Sequence, residues 1–395
     1  MHMELTLLLL VLLLASAFSF LSAGAAASAV PPPPRRLLFT SMFAFGDSYM
    51  DTGNFVVMAA AVSFPVWNDK PPYGMTFFAR PTGRASDGRL ILDFLAEALG
   101  LPFLPASLLT NGSRAAQGVD FAVNGATAID VGFFERNNLV PFKLLNNSLD
   151  VQLGWFEKLI KPSSFSAGTI TGTGGIGGCF GAESLFVVGE FGVNDYNFLW
   201  TANMTEDQVR SYVPRVVDAI AMAVERLIGL GAAHIVVPGN PPTGCLPAVL
   251  TLLRSPGAAD DDYDGVGCLR AVNAVAMHHN ALLRAAVDRL RAAHPRARIV
   301  FADFYTPVYT ILQNPARFGV VGDGEALKAC CGTGGEYNWN GSAVCGMPGV
   351  AACGSPSAYV SWDGVHYTES VNRYVAMGWL YGPYADPPLL TPMPH

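Results

Sequence analysis

Five short apolar runs, rich in Val, Phe and Ile, punctuate the chain at residues 41–46, 119–123, 184–188, 233–237 and 298–301. Runs of this length and composition read as strands buried on both faces, the pattern of a parallel sheet. Each ends in turn residues: Gly46-Asp47-Ser48, Asn124-Gly125-Ala126, Gly189, Pro238-Gly239 and Ala302-Asp303. Between and after the runs, apolar residues recur at helical spacing. Residues 90–99 stop at Gly100, and 205–230 open on the capping-box pair Thr205 and Gln208 and end at Gly231. Residues 268–293 stop at His294-Pro295, and 365–381 form a terminal helix. Such alternation predicts an α/β fold, a parallel sheet covered on both faces. A functional site then lies beyond the carboxyl ends of the strands, where long loops at 54–87 and 330–362 are available.

Composition supports one large folded body. Hydrophobic residues make up 51% of the 395 and charged residues 14%, which favours a large core over disorder, and 41 Gly with 28 Pro require many turns. No repeat and no composition break marks a second domain. The net charge is −7, without a basic stripe, so no nucleic-acid partner is expected.

The amino-terminal segment is separate. Residues 5–14 are apolar apart from Thr6, and small residues follow, ending in Ala27-Ser28-Ala29. We read 1–29 as a secretory signal peptide, 30–40 with its run Pro31 to Pro34 as a stiff linker, 41–386 as the folded domain and 387–395 as a tail. Glu4 and the lack of a leading Lys or Arg depart from the usual signal, and an uncleaved anchor is the competing reading. The Ala/Ser content that dilutes the apolar run favours cleavage, after which no membrane insertion is expected. The expected location is secreted, extracellular or in the cell wall, with the vacuole as an alternative.

Seven cysteines agree with export: Cys179, Cys245, Cys268, Cys330, Cys331, Cys345 and Cys353. They lack zinc-site spacing and read as disulfide staples of undetermined connectivity, with one cysteine left over. Four Asn-x-Ser/Thr triplets, at Asn111, Asn146, Asn203 and Asn340, are glycosylation candidates.

The chemistry-bearing residues gather at the predicted strand ends. Ser48 follows the first run, after a glycine that permits a sharp turn. A serine nucleophile needs a base, and histidine is the usual one. Of seven histidines, His2 lies in the signal and His395 ends the chain. His278 and His279 sit mid-helix, His294 closes a helix, and His234 opens a strand. His366 remains, three residues after Asp363, and a short Asp-x-x-His loop can turn the carboxylate onto the imidazole. Gly125 and Asn194 follow two other strands and can supply oxyanion donors. Singly, each has a bland alternative: a turn, an Asx-turn or a helix cap.

Together, five ordered blocks resemble the plant-type GDSL esterase/lipases of the SGNH hydrolase superfamily. They are Phe45-Gly-Asp-Ser48 with Asp51-Thr-Gly-Asn54; Gly83-Arg-Ala-Ser-Asp-Gly-Arg89; Asn124-Gly-Ala126; Gly192-Val-Asn-Asp195; and Trp362-Asp-Gly-Val-His366. The resemblance implies a three-layer α/β/α sandwich with a five-stranded parallel sheet, flavodoxin-like in architecture. It implies Ser48, Asp363 and His366 as catalytic residues, with the Ser48 and Gly125 backbone N–H groups and the Asn194 side chain as oxyanion hole. It implies neither metal nor organic cofactor. Departures are Tyr49 in place of leucine, with little effect expected; Asn124 at a position often small; and Val193 for a frequent glycine.

Other classes fit less well. The chain has no Gly-x-Ser-x-Gly elbow and no His-Glu-x-x-His motif. A catalytically silent binding protein on the same fold had no need to keep all the site residues. The substrate expected is a small-molecule, glycan or lipid ester, with short-chain or acetyl esters preferred and longer lipid esters the alternative. Trp67, Tyr73, Tyr337 and Trp339 are read as exposed loop aromatics, more apt to pack those loops onto the body than to stack on sugars. Nothing in the sequence speaks to oligomeric state.

Overall fold

The computed structural model describes residues 39–110, 115–140, 143–161, 180–254, 260–320 and 326–390. The signal segment, most of the linker, Asn111, Cys179 and the last five residues of the tail lie outside these ranges.

The five expected runs form strands β1 (Ser41–Phe45), β2 (Gly118–Asp120), β3 (Ser184–Val188), β4 (His234–Pro238) and β5 (Arg298–Ala302). They are parallel, in the order β2-β1-β3-β4-β5. Two short strands of a loop ribbon follow, β6 (Cys331–Gly332) and β7 (Ala351–Ala352), and then β8 (Ala385–Asp386). β8 adds a sixth, antiparallel strand against β5, which the sequence reading did not contain. With two residues, it has no periodicity to read.

Alternate residues of each strand enter opposite cores, because successive side chains point to opposite faces of a sheet. Met42, Ala44, Leu185, Val187, Val236 and Val300 pack on one side under helices Ile91–Leu99, Tyr305–Gln313 and Glu369–Tyr381. Phe43, Phe45, Phe186, Val188, Ile235 and Phe301 pack on the other under Leu149–Leu159, Glu206–Gly229 and Arg270–Ala293. The result is the expected three-layer α/β/α sandwich. Each fully buried Phe or Leu side chain contributes roughly 1.5–3 kcal/mol.

Local signals set the helix ends. Thr205 Oγ1 accepts from Gln208 N at 3.4 Å while Gln208 Oε1 accepts from Thr205 N at 2.9 Å, the reciprocal cap expected for helix Glu206–Gly229. The terminal helix begins at Glu369, four residues later than 365. Asp363 Oδ1 accepts from the N–H groups of Val365 and His366 at 3.0 and 2.9 Å and holds that stretch in a turn. Asp87 Oδ1 then accepts from Glu369 N at 2.7 Å and caps the helix from the other loop.

Disulfides join Cys245 to Cys268, Cys330 to Cys353 and Cys331 to Cys345. The last two staple the loop that carries Asp363 and His366. Closing loops of this size restricts the unfolded chain by about 3 kcal/mol each.

Candidate active site

Ser48 follows β1 in a tight turn, with Asp51 N donating to Asp47 O at 3.0 Å. Gly46 fits tightly there: a Cβ would lie 3.2 Å from both Gly189 O and Met50 Cγ. Gln152 pairs with its backbone, accepting from Gly46 N at 3.0 Å and donating to Gly46 O at 2.8 Å.

The candidate base lies on the terminal loop. His366 Nδ1 is 2.7 Å from Asp363 Oδ2, and Tyr73 Oη donates to the same oxygen at 2.7 Å. Burial raises the Asp363 pKa, but the His366 charge and hydrogen bond, with the Tyr73 donor, outweigh it and bring the carboxyl down to about 2. Burial lowers the His366 pKa, but the Asp363 charge and hydrogen bond, with Asp47 beyond, raise it on balance above its ordinary 6.5. Gly364 makes the turn: at φ 98° its Cβ would fall 2.0 Å from Trp339 Cδ1.

Ser48 is bracketed by contacts of its neighbours. On one side Tyr49 donates to Val365 O at 3.0 Å, with its ring 5.8 Å from the His366 ring. On the other Asp47 Oδ2 accepts from Asn194 Nδ2 at 2.8 Å. Tyr49, expected to matter little, thus ties the serine turn to the histidine loop. The Ser48 side chain and backbone N–H, and the Gly125 N–H, make no hydrogen bond among the described residues. Space opens beside Gly125, where a Cβ would meet nothing within 4 Å. Both amide hydrogens of Asn194 are engaged, since Nδ2 also donates to Ala126 O at 3.0 Å.

The sequence blocks contain further carboxylates whose work the residue types alone did not disclose. Asp51 accepts from Gly53, Asn54 and Phe55 N–H groups and, at 2.9 Å, from Asn124 N, joining the serine turn to the Gly125 loop. Asp120 accepts from Thr52 N and Oγ1 at 2.8 and 2.9 Å. Asp195 accepts from Ala128 and Ile129 N–H groups, both at 2.9 Å, and joins the Gly125 loop to the Asn194 loop. Burial pushes the Asp195 pKa up to about 7. Arg84 pairs with Asp93 of helix Ile91–Leu99, and Arg89 with Glu369 of the terminal helix, so the Gly83 to Arg89 block ties to both helices.

Beside Gly125 and Asn194 lies a cavity of about 270 Å³, walled by Phe55, Phe64, Leu144 and Phe198. Asn124 forms part of its rim, as its departure from a small residue implies. Tyr73 and Trp339 are buried, and Trp67 and Tyr337 are half-buried, so the four loop aromatics pack rather than stand exposed. Asn146, Asn203 and Asn340 are exposed. Among the described residues no group of three His, Cys, Asp or Glu is arranged to hold a metal ion, and no helix is long and apolar enough to cross a membrane.

The family model for GDSL-like lipase/acylhydrolase matches residues 42–379. A GDSL esterase/lipase of Arabidopsis thaliana is 40% identical over 89% of this chain and 86% of its own. Sinapine esterase of Brassica napus is 40% identical over 88% of this chain and 87% of its own. With a family match across residues 42–379 and such relatives over most of the chain, the chain belongs to the GDSL lipase/acylhydrolase family and is a carboxylic ester hydrolase.

Proposed function

We propose that the protein is a secreted serine esterase that acts through an acyl-enzyme on Ser48. The observation that carries the reading is the part-buried His366–Asp363 pair at 2.7 Å, held against the serine turn by Tyr49. His366 Nε2 takes the Ser48 proton as Oγ attacks the ester carbonyl, and returns it to the departing alkoxide. Water then attacks the acyl-enzyme with His366 again as base, and Asp363 keeps the imidazole in the tautomer that accepts at Nε2. The Ser48 and Gly125 N–H groups, without partners among the described residues, receive the oxyanion. Asn194 joins them by exchanging its bond to Ala126 O for one to the oxyanion, while Asp47 keeps its other amide hydrogen. Asn194→Ala is expected to lower kcat by about 10²–10³-fold with little change in KM. An unchanged kcat would remove Asn194 from the oxyanion hole.

The 270 Å³ cavity takes the acyl group. It lies just below the ~300–1,000 Å³ of small-molecule pockets, which favours short-chain or other compact acyl esters of a glycan or secondary metabolite over long-chain lipids. A relative named for sinapine agrees with a small ester. Three disulfides support an oxidising compartment, where the exposed Asn146, Asn203 and Asn340 would carry glycans. The test is hydrolysis of p-nitrophenyl esters from acetate to palmitate. The expected optimum is at short chains, and an optimum at palmitate would assign the protein to lipids.

A further inference from the structure

Glu190 lies on the loop after β3, wholly buried. β3 pairs with β1 in the register Phe45 to Val188, so Glu190 and Asp47 leave adjacent strands at the same level, and their carboxyls act on each other there. Two carboxylates cannot both stay ionised in contact away from water, so one of them holds a proton. The donors around them decide which. Asp47 Oδ1 accepts from Tyr49 N at 3.0 Å and Oδ2 from Asn194 Nδ2 at 2.8 Å, and His366 adds favourable charge. Glu190 Oε1 accepts from Val193 N at 3.1 Å and from Asn240 Nδ2. Glu190 Oε2 is buried with no donor directed at it. An acceptor left bare in this way is costly, whereas a proton on it satisfies both groups.

We propose that Glu190 is a positioning residue whose Oε2–H donates to the Asp47 carboxylate, fixing the charge that holds the Asn194 amide beside Ser48. The inference rests on Asn194 serving the oxyanion, as argued above. The surroundings agree with the direction of the proton. Burial raises Asp47 to about 6, still ionised at neutral pH, while burial and the Asp47 charge drive Glu190 well above the carboxylate range. Tyr49, Tyr196 and Tyr367 face the pair as buried, neutral phenols. Asp51 and Asp195 add negative charge near Asp47, and His279, brought down to about 3 by burial, adds none. If ionised, Glu190 would compete with Asp47 for the Asn194 hydrogens and repel it from the turn.

Glu190→Gln tests this, because a carboxamide keeps both a donor and an acceptor in the same shape. The infrared spectrum of the wild-type enzyme at pH 7, minus that of Glu190→Gln, is expected to show the C=O band of a neutral carboxylic acid. Its absence would mean that Glu190 is ionised and would overturn the proposal. In kinetics, Glu190→Ala is expected to lower kcat by roughly 10–10²-fold, bounded by the 10²–10³ of losing an oxyanion donor, and Glu190→Gln to recover most of it. In an Asn194→Ala background, Glu190→Ala should add little. A fully additive loss there would show that Glu190 acts by another route. If Asn194→Ala alone costs nothing, the oxyanion reading fails with its dependent step, while the infrared band still reports separately whether Glu190 holds the proton.

Discussion

Replacing Ser48 with alanine is expected to lower kcat on carboxylic esters by roughly 10⁴–10⁶-fold while leaving the fold intact. The size of the loss follows from the division of labour at the site. On the proposed route no acyl-enzyme forms without Oγ, and His366 has no hydroxyl to deprotonate. Only the N–H groups and the cavity remain to favour attack by water, and these supply a residual about 10³–10⁴ over the uncatalysed rate. Stability should be untouched, because the Ser48 hydroxyl makes no hydrogen bond among the described residues. The turn around it is held by Asp47, Tyr49 and Gln152 instead. Turnover on a short-chain p-nitrophenyl ester and a thermal melt, measured on the same preparation, check both halves. An organophosphonate should label the wild-type enzyme at Ser48 and leave the variant unlabelled. Labelling at another serine, or near-wild-type turnover in the variant, would relocate the nucleophile.

That Ser48, Gly125 and Asn194 would follow strand ends was legible in the sequence, because buried parallel strands have a distinct composition and their turns hold these residues. The helices were legible to within a residue or two where caps mark them, as at Thr205 and Gly100. The terminal helix was not, because Val365 and His366 fit its periodicity while Asp363 captures their N–H groups. What reads least well is chemistry made by contact across the chain. Asp47 and Glu190 are 143 residues apart, and each alone reads as a turn or loop acid. Tyr73 reads as a loop aromatic, yet it hydrogen-bonds Asp363 across 290 residues. The Asp51 and Asp195 braces lie within the family blocks and Asp120 lies outside them, but only the fold shows that they tie three strand-end loops into one floor. A site built on such a floor keeps its donors in place before substrate arrives, which is where oxyanion stabilisation draws its strength.

Asp363→Asn is the second large effect, and it has two independent readouts. The carboxylate now receives His366 Nδ1 and Tyr73 Oη on one oxygen and the Val365 and His366 N–H groups on the other. An asparagine keeps its carbonyl towards the two backbone donors, which sets its NH₂ against the imidazole. His366 Nδ1 must then accept, its proton moves to Nε2, and the nitrogen needed by Ser48 is no longer a base. A kcat loss of about 10⁴ is expected from the wrong tautomer alone. The pH profile moves as well. If His366 is the base, as proposed, activity requires it neutral and the acid limb of kcat/KM marks its pKa, which Asp363 raises above 6.5. With the charge removed, burial acts on the imidazole without that opposition, and the limb should shift to lower pH. The two effects have opposite senses at acidic pH: more of the histidine is neutral, yet less of it can take the proton. A falling rate with an unmoved limb would show that the titrating base is a group other than His366, because a lost hydrogen bond to Asp363 cannot leave the His366 pKa where it was.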